Sequence, residues 1–328
     1  MQTVSASLIS GKKVLLRMDL DVEIINGKVA DDFRLLAGLP TLDLCLEKAV
    51  SVIIMGHVGR PKGQDPAFSV KPIVEWFEEK YAGKSLPEGK LHILENLRFE
   101  EGEEGCDENY AKELADLVDP GQAGTGFFVN EAFASHHKSA STTMLPKLLP
   151  HAAGLRFAKE VEKLTEVREN PQKPLISLIG GAKIEDKLPV VQVLAKVSDV
   201  VLVGGKLPWE INQLGVNVPS NVMVAKMNEA GTDLSDEALD SFKEIISRAK
   251  QVIWAGPMGK YEEESSRKGT LELAQAVIES GAESIIGGGD TQAALNAYLK
   301  DFSFVSTGGG AMLKFLVDGT LPTIKALD

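Results

Sequence analysis

Short apolar runs alternate along this chain with longer stretches that mix apolar and charged residues. The runs include VLLRMDL and VSVIIM in the first half, and PLISLIGG and QVIWAGP in the second. Between them lie stretches such as SVKPIVEWFEEKYAG and SDEALDSFKEIISRAK, whose apolar positions recur at helical spacing. Strands that are apolar throughout and alternate with helices are typical of parallel sheets covered on both faces. The pattern therefore predicts an α/β protein of the doubly wound type.

The length and one charged segment predict two domains. With 328 residues, the chain exceeds the roughly 250–300 residues at which a single hydrophobic core stops growing. The charged helical segment GLRFAKEVEKLTEVRENPQKPL, with two prolines near its end, leads into the buried strand of the second half. We therefore predict a first domain over 1–155, a connecting segment over 156–172, and a second domain that begins at 173.

Polar residues and glycines collect where the predicted strands end. In the first half these residues are Asp19, Asp21, His57, Arg60, Asn96, Arg98, Asn130 and Glu131, followed by His136, His137 and Lys138. In the second half they are the glycines at 180–181, 204–205, 256, 259, 287–289 and 308–310. Open α/β sheets bind ligands outside the carboxyl ends of their strands. Glycine allows a close approach of the backbone, and a helix start offers N–H groups to an anion. One half thus offers cations and the other glycine loops, which predicts two anionic ligands, one for each domain.

Composition and charge narrow the function class. A net charge of −12 argues against a general binder of nucleic acid or of membrane surfaces. Cys45 and Cys106 form neither a disulfide framework nor a metal-binding pattern. The chain shows no secretory signal and no apolar run of membrane-spanning length, so a cytoplasmic protein is expected. Its glycine-rich stretches match neither the P-loop nor the dinucleotide-binding fingerprint.

The same residues fall within an ordered set of motifs. The set reads LLRMDLDVEI, DDFRLLAGLPTL, GHVGRPKG, LENLRFEEGEE, VNEAFASHHKSAST, IGGAKIEDKL, WAGPMGKYE, SIIGGGDT and STGGGAMLKFL. In this order, and over nearly the whole chain, it resembles the phosphoglycerate kinase family. The resemblance implies two Rossmann-like, doubly wound parallel-sheet domains joined by a helix, with a cleft between them. It also implies a nucleotide-binding domain over 173–310 and a C-terminal segment, 311–328, that returns to the phosphoglycerate-binding first domain.

The resemblance implies reversible phosphoryl transfer from 1,3-bisphosphoglycerate to ADP, giving ATP and 3-phosphoglycerate, with Mg²⁺ bound to the nucleotide. In-line transfer would follow a hinge closure. These small molecules are then the partners, with no nucleic acid and no membrane, and a monomer is expected. Two other interpretations stay open. One is a non-catalytic relative that binds phosphoglycerate or nucleotide as a sensor or scaffold. The other is a dinucleotide-binding oxidoreductase, which the missing fingerprint disfavours.

Matching the motifs one by one assigns candidate residues. The implied phosphoglycerate-binding residues are Asp19, Asp21, Arg34, His57, Arg60, Arg98, His137 and Lys138. The implied nucleotide-binding residues are Gly181, Lys183, Lys187, Gly205, Gly256, Glu262, Gly287, Gly288, Gly289, Asp290 and Thr291, with Asp290 also the metal ligand. The implied catalytic residues, which would stabilise charge on the transferred phosphoryl group, are Arg34, Lys183, Gly308 and Gly309.

The chain departs from the family's motifs in a few places. The changed positions are Asp21 in place of asparagine, Lys138 in place of arginine, Ala255 in place of asparagine, and Lys206 and Pro208 within a glycine-rich run. The chain is also shorter than typical members, mainly between Gly205 and the AKQVIWAGP run. In the family this segment builds part of the adenine pocket, so the departures bear on base recognition and kinetic competence.

Overall fold

The chain folds into two compact α/β units. The computed structural model describes residues 1–84, 86–182 and 184–328, without the side chains of 184–186. Unit 1 comprises Met1–Val161 and Thr320–Asp328, and unit 2 comprises Glu162–Gly319. Each unit contains a parallel sheet with helices between its strands, which confirms the predicted fold class. Among the described residues, no helix is both long enough and apolar enough to cross a membrane.

Unit 1 is built on a parallel sheet in the order β5-β4-β1-β6-β7. Its strands are β1 (Lys13–Arg17), β2 (Ile24–Ile25), β3 (Lys28–Val29), β4 (Ser51–Met55), β5 (Leu91–Ile93), β6 (Gly126–Asn130) and β7 (His151–Ala153). Its helices are α1 (Ala6–Ile9), α2 (Phe33–Lys48), α3 (Lys71–Lys80), α4 (Glu101–Glu104), α5 (Glu108–Asp116) and α13 (Pro322–Lys325), together with the first part of α6 (Leu155–Glu169). Short 3-10 or π turns cover Pro66–Phe68, Leu97–Phe99, Pro120–Gln122, Ala140–Met144 and Leu145–Lys147.

The core of unit 1 forms where the sheet meets its helices. Val14 and Leu16 of β1 and Val52 and Ile54 of β4 are fully buried, as the apolar runs predict. The strand order reverses beside β1, since β4 and β5 follow on one side and β6 and β7 on the other. Loops that leave the carboxyl ends of strands on the two sides of such a reversal separate and leave a crevice.

Unit 2 repeats this plan with the strand order β10-β9-β8-β11-β12-β13. Its strands are β8 (Leu175–Ile179), β9 (Val200–Val203), β10 (Val222–Val224), β11 (Gln251–Ala255), β12 (Glu283–Gly287) and β13 (Phe304–Val305). Its helices are the rest of α6, then α7 (Ile184–Val197), α8 (Leu207–Leu214), α9 (Asp236–Ile246), α10 (Lys268–Ser280), α11 (Gly289–Ala294) and α12 (Gly309–Asp318). Two 3-10 turns cover Glu264–Ser266 and Asn296–Asp301.

Two elements of unit 1 were absent from the pattern-based prediction. β2 and β3 form a small antiparallel ribbon across Asn26 and Gly27, whose φ values are 52° and 73°. An Asn-Gly pair between β-branched residues is a recognisable hairpin signal. β7, with the sequence HAA, is too short and too weakly apolar to stand out, and its pairing with β6 defines it.

Glu131 joins three elements of unit 1. Its carboxylate accepts hydrogen bonds from the Thr41 hydroxyl in α2 at 2.5 Å, and from the backbone amides of Arg156 and Phe157 at 3.0 Å each. These amides lie in the first turn of α6, where backbone N–H groups lack partners within the helix. Glu131 is only 3% exposed, and burial raises its pKa to about 8. The carboxyl group therefore fixes the start of the helix through which the chain leaves unit 1.

Replacing Glu131 should change how stability depends on pH. The folded pKa of about 8 lies above the ordinary value of 4.5, so the folded chain keeps a proton that the unfolded chain releases. This stabilisation is full below about pH 4.5 and is lost as the pH rises through about 8. A shift of this size corresponds to on the order of 5 kcal/mol. Urea unfolding from about pH 5 to about pH 9 should give a free energy of unfolding that falls less for Glu131→Gln than for the unmodified chain.

The matched control is Glu169→Gln, which removes an exposed carboxylate from the other end of α6. It should keep the pH dependence of the unmodified chain. Equal slopes for Glu131→Gln and the unmodified chain would show that Glu131 does not hold the extra proton.

Candidate active site

A positively charged cavity lies at the carboxyl ends of β1, β4 and β6 and beside the loop that follows β5. We call it the arginine cavity, and its volume is about 650 Å³. It is lined by Arg17, Asp21, His57, Arg60, Pro61, Lys62, Arg98, Glu103, Glu104, residues 134–139 and Thr142. Arginine and lysine side chains outnumber carboxylates in this lining, although the chain as a whole is strongly acidic. The cavity is therefore suited to a small, multiply charged anion.

Arg17 lies at the floor of the cavity and determines the state of His57. The Arg17 guanidinium donates to Ser141 Oγ (3.0 Å), to the backbone oxygen of Met18 (2.6 Å) and to His57 Nδ1 (2.8 Å). Because a guanidinium can only donate, His57 Nδ1 must accept, and the ring proton must be on Nε2. Burial and the neighbouring arginines lower the pKa of His57 well below its ordinary value. His57 is therefore a neutral imidazole that presents an Nε2–H donor.

The GHVGRPKG loop is held in place by hydrogen bonds from two other motifs. Asp21 Oδ1 accepts from the Gly59 amide at 2.8 Å, and Arg98 donates to the Gly59 carbonyl at 2.6 Å. The Asn96 side-chain amide donates to the carbonyls of Val58 (2.8 Å) and Phe68 (2.9 Å). The acidic residue at position 21 therefore has a local function, because its carboxylate fixes the turn that precedes Arg60.

Arg60, His137 and Lys138 extend the lining with exposed side chains. Exposed cations at the rim of a cavity can adjust to an entering anion, whereas buried cations are fixed before it arrives. The structure therefore brings these three side chains together in the lining of one cavity.

Asp19 and Arg34 are near the arginine cavity but do not belong to the described lining. Asp19 is buried, and its carboxylate accepts from the Ala134 amide (2.9 Å) and the Ser135 hydroxyl (3.1 Å), so it supports the loop that carries the lining. Burial raises the pKa of Asp19 above its ordinary value, and the positive charge of nearby Arg34 offsets only part of this rise. Arg34 lies in the first turn of α2 and donates to the Asp21 carbonyl at 2.5 Å.

A second pocket lies at the carboxyl ends of the strands in unit 2. We call it the glycine pocket, and its volume is about 430 Å³. It is lined by Gly181, Ala182, Gly205, Lys206, Gly231, Thr232, Pro257, Gly259, Lys260, Tyr261, Glu262 and Asp290. Burial, together with the charges of Asp290 and Glu262, raises the pKa of Tyr261. A narrow pocket with a backbone-rich wall, two lysines and two carboxylates can bind a ligand that carries both hydroxyl and phosphate groups.

Two of the predicted nucleotide-binding glycines, Gly256 and Gly288, pack against other glycines and do not line the pocket, whereas Gly181 and Gly205 do. A Cβ at Gly256 would lie 2.2 Å from the Gly180 carbonyl oxygen, and one at Gly309 would lie 2.3 Å from the Gly288 Cα. The Thr291 hydroxyl accepts from the Gly256 amide (2.7 Å) and donates to the Gly287 carbonyl (2.9 Å). Thr291 is fully buried, so its side chain holds the loops after β11 and β12 together beneath the pocket.

The remaining nucleotide-side candidates have different placements. Lys183 lies outside the described residues. Lys187 is half-buried, and its side chain lies beside Gly181, since a Cβ added to this glycine would be 3.8 Å from the Lys187 Cε. Gly308 immediately precedes α12, and Gly309 is its first residue, so the amides of this helix start at the predicted glycine run. Gly289 begins α11 and Asp290 follows it with an exposed side chain.

Asp290 is the carboxylate that could help to hold a metal ion. Within the described part of the chain, no cluster of three or more His, Cys, Asp or Glu side chains could hold one without other ligands. Mg²⁺ commonly binds through one or two carboxylates together with phosphate oxygens of the substrate. Asp290, an exposed carboxylate in the wall of the glycine pocket, fits that donor set.

The sequence analysis assigned no role to four charged residues of the arginine cavity. These residues are Arg17, Lys62, Glu103 and Glu104. Arg17 was overlooked because it ends an apolar strand, although a charge in that run is itself a signal. Lys62 stands two residues after Arg60 in the motif already quoted. Glu103 lies in the acidic run FEEGEEG, which is typical of a solvated surface.

Comparisons with known proteins agree with this arrangement. A family model described as phosphoglycerate kinase matches residues 4–213 and 210–319 of the chain. The phosphoglycerate kinase of Buchnera aphidicola subsp. Schizaphis graminum (strain Sg) is 33% identical over 380 aligned residues, covering 98% of this chain and 96% of that protein. Because the alignment is longer than the 328-residue chain and spans nearly all of both proteins, this chain lacks internal residues that its relative has.

Two solved structures are similar over almost their whole length. Phosphoglycerate kinase from Coxiella burnetii has a TM-score of 0.82 and 29% identity, with 99% of this chain and 98% of that chain covered. Phosphoglycerate kinase from Pyrococcus horikoshii OT3 also has a TM-score of 0.82, with 26% identity and coverage of 100% and 98%. The similarity therefore extends to both units.

Proposed function

The chain belongs to the phosphoglycerate kinase family, and we propose that its arginine cavity binds the phosphoglycerate and its glycine pocket the nucleotide. The reaction that this family catalyses in glycolysis is the transfer of a phosphoryl group from 1,3-bisphosphoglycerate to ADP, which gives ATP and 3-phosphoglycerate. The observation that carries the division is the set of arginines, lysines and a neutral histidine gathered at one edge of the unit 1 sheet.

The arginine cavity offers a different partner to each group of a phosphoglycerate. Arg60 has an exposed planar guanidinium, which can bind two oxygens of the non-transferred phosphate. His57 Nε2–H and Arg98 can donate to carboxylate or phosphate oxygens. Asp21 can accept a hydrogen bond from the glycerate hydroxyl. His137 and Lys138 add positive or donor groups at the rim.

The glycine pocket offers complementary partners to a nucleotide. Glu262 can accept from the ribose hydroxyls, and Lys183 and Lys187 can neutralise phosphate oxygens. Asp290 would bind the Mg²⁺ that accompanies the nucleotide, and the ion would supply positive charge beside the phosphates. Thr291, Gly256 and Gly288 lie in contacts between the loops of unit 2, so they keep these loops in position.

Charge stabilisation accounts for the catalytic assignments. A phosphoryl transition state carries negative charge on its equatorial oxygens, so cations and oriented amides lower the barrier. We assign this role to Arg34, to Lys183 and to the amides of Gly308 and Gly309 at the start of α12. In-line transfer needs both reacting atoms at bonding distance, so the proposal includes a closure movement of the two units during turnover. A monomeric enzyme of the cytoplasm stays a prediction from the sequence.

Asp290→Asn should weaken the binding of Mg-ATP by at least about tenfold, because an amide is a poorer ligand for Mg²⁺ than a carboxylate. Binding of 3-phosphoglycerate should not change, since Asp290 does not line the arginine cavity. Calorimetric titration of each ligand in the presence of Mg²⁺ measures both effects. Asp240→Asn, an exposed change on α9, is the matched control. Unchanged affinity for Mg-ATP, with only a lower melting temperature, would reduce Asp290 to a structural role in α11.

Arg34→Ala should lower kcat by roughly two orders of magnitude, or about 3 kcal/mol, with smaller changes in KM for both substrates. The reason is that charge on the transferred group is greatest in the transition state. A coupled assay with Mg²⁺, ATP and 3-phosphoglycerate measures these constants. Arg34→Lys should recover only part of the rate, because a lysine ammonium lacks the planar guanidinium group that can bind two oxygens at once.

A melting curve controls for the lost hydrogen bond between Arg34 and the Asp21 carbonyl. If Arg34→Ala raises KM for 3-phosphoglycerate and leaves kcat unchanged, Arg34 only binds substrate. The catalytic role would then rest on Lys183 and the start of α12.

A further inference from the structure

Glu103 is a buried carboxylate at the wall of the arginine cavity. It is 2% exposed and belongs to α4, a single helical turn whose other glutamates, Glu101 and Glu104, are exposed. A carboxylate is almost never buried to this degree without specific partners, because removing its charge from water is costly. The carboxylate of Glu103 is therefore expected to have specific hydrogen-bond partners inside the protein.

Both carboxylate oxygens of Glu103 are occupied by one residue. Oε1 accepts from the Ser141 hydroxyl at 2.5 Å, and Oε2 accepts from the Ser141 amide at 3.0 Å. Ser141 lies in the π-helical turn Ala140–Met144, near its start, where backbone amides lack partners within the turn. The carboxylate therefore fixes both the backbone and the hydroxyl of Ser141.

The Ser141 hydroxyl continues the connection to the cavity floor. Since it donates its proton to Glu103, its oxygen accepts from Arg17 Nε, at 3.0 Å. Arg17 then donates from its far end to His57 Nδ1 at 2.8 Å. The side chains of Glu103, Ser141, Arg17 and His57 thus form a continuous series of hydrogen bonds. Because the guanidinium of Arg17 can only donate, both Ser141 Oγ and His57 Nδ1 must accept from it.

We propose that Glu103 is a positioning residue for phosphoglycerate binding: through Ser141 and Arg17, its carboxylate keeps His57 in the tautomer that presents Nε2–H to the ligand. Glu103 does not need to contact the ligand, since both of its oxygens are engaged by Ser141. This inference rests on the proposed function of the arginine cavity.

The charge of Glu103 matters as well as its geometry. The guanidinium of Arg17 is buried, and among the nearby carboxylates Glu103 offsets the effect of that burial on the pKa of Arg17 most strongly, followed by Asp19. If the carboxylate becomes an amide, the Ser141 amide and hydroxyl compete for one acceptor oxygen. The Ser141 hydroxyl then loses its fixed direction, and its oxygen is held less firmly in the position where it accepts from Arg17 Nε.

Glu103→Gln tests the proposal in the full-length chain. It should raise KM for 3-phosphoglycerate by about tenfold or more, with KM for ATP unchanged and kcat reduced much less. Glu103→Asp keeps the charge and should recover part of the affinity. Glu101→Gln removes an exposed carboxylate from the same helix, does not touch the cavity, and should behave as the unmodified chain.

Ser141→Ala provides an independent variant if Glu103→Gln does not fold. It removes only the hydroxyl and should also raise KM for 3-phosphoglycerate. The double variant should be no worse than the poorer single variant, since both changes break the same connection. Additive effects, or a fall in melting temperature with an unchanged KM for 3-phosphoglycerate, would overturn the positioning role.

The imidazole of His57 gives a spectroscopic measurement that a purely structural role would not change. Nitrogen-15 NMR of the unmodified chain should show His57 with a protonated Nε2, and Glu103→Gln should show a mixture of tautomers. An Nδ1–H tautomer in the unmodified chain would overturn the proposal. If 3-phosphoglycerate does not perturb the His57 signals at all, the function proposed for the cavity fails. If it does perturb them while Glu103→Gln binds normally, only the role of Glu103 fails.

Discussion

The burial of the Arg17 guanidinium is the interaction on which the arginine cavity depends. An arginine that is 1% exposed destabilises the fold unless its donors are satisfied and its charge is balanced. Its partners come from the residue that follows its strand, from the loop after β4 and from the turn that contains Ser141. Satisfying one buried cation therefore brings together the segments that form the arginine cavity.

The need to satisfy buried polar groups also explains why side chains line the cavity of unit 1, whereas loops form most of the pocket wall in unit 2. In unit 1, Asp21, Asn96 and Arg98 hold the GHVGRPKG loop while its own cation, Arg60, stays exposed. In unit 2, close backbone contacts such as the one between Gly309 and Gly288 bring the loops together. Loops packed this closely leave little room for side chains, so the pocket wall is formed mainly by backbone.

Much of the fold could be predicted from the sequence, because apolar runs and helical spacing are local signals. The parallel sheets follow from strands that are apolar throughout, and the carboxyl ends of parallel strands lie at one edge of the sheet. Site residues at strand ends, such as His57 and Arg60, could be found in this way. Arg17 and Glu103 were missed, since Arg17 lies inside the apolar run VLLRMDL and Glu103 lies in an acidic run. Only the folded structure reveals that Ser141 connects them, because it lies 38 residues from Glu103 and 124 from Arg17 along the chain.

The affinity of the full-length chain for 3-phosphoglycerate, with and without Arg60, tests the central claim most directly. Calorimetric titration should give a dissociation constant about tenfold to a hundredfold higher for Arg60→Ala, since a hydrogen-bonded charge pair is lost. The affinity for Mg-ATP should be unchanged, and Arg248→Ala, an exposed change in unit 2, should affect neither ligand. An unchanged affinity for 3-phosphoglycerate in Arg60→Ala would contradict the assignment of the arginine cavity to the phosphoglycerate.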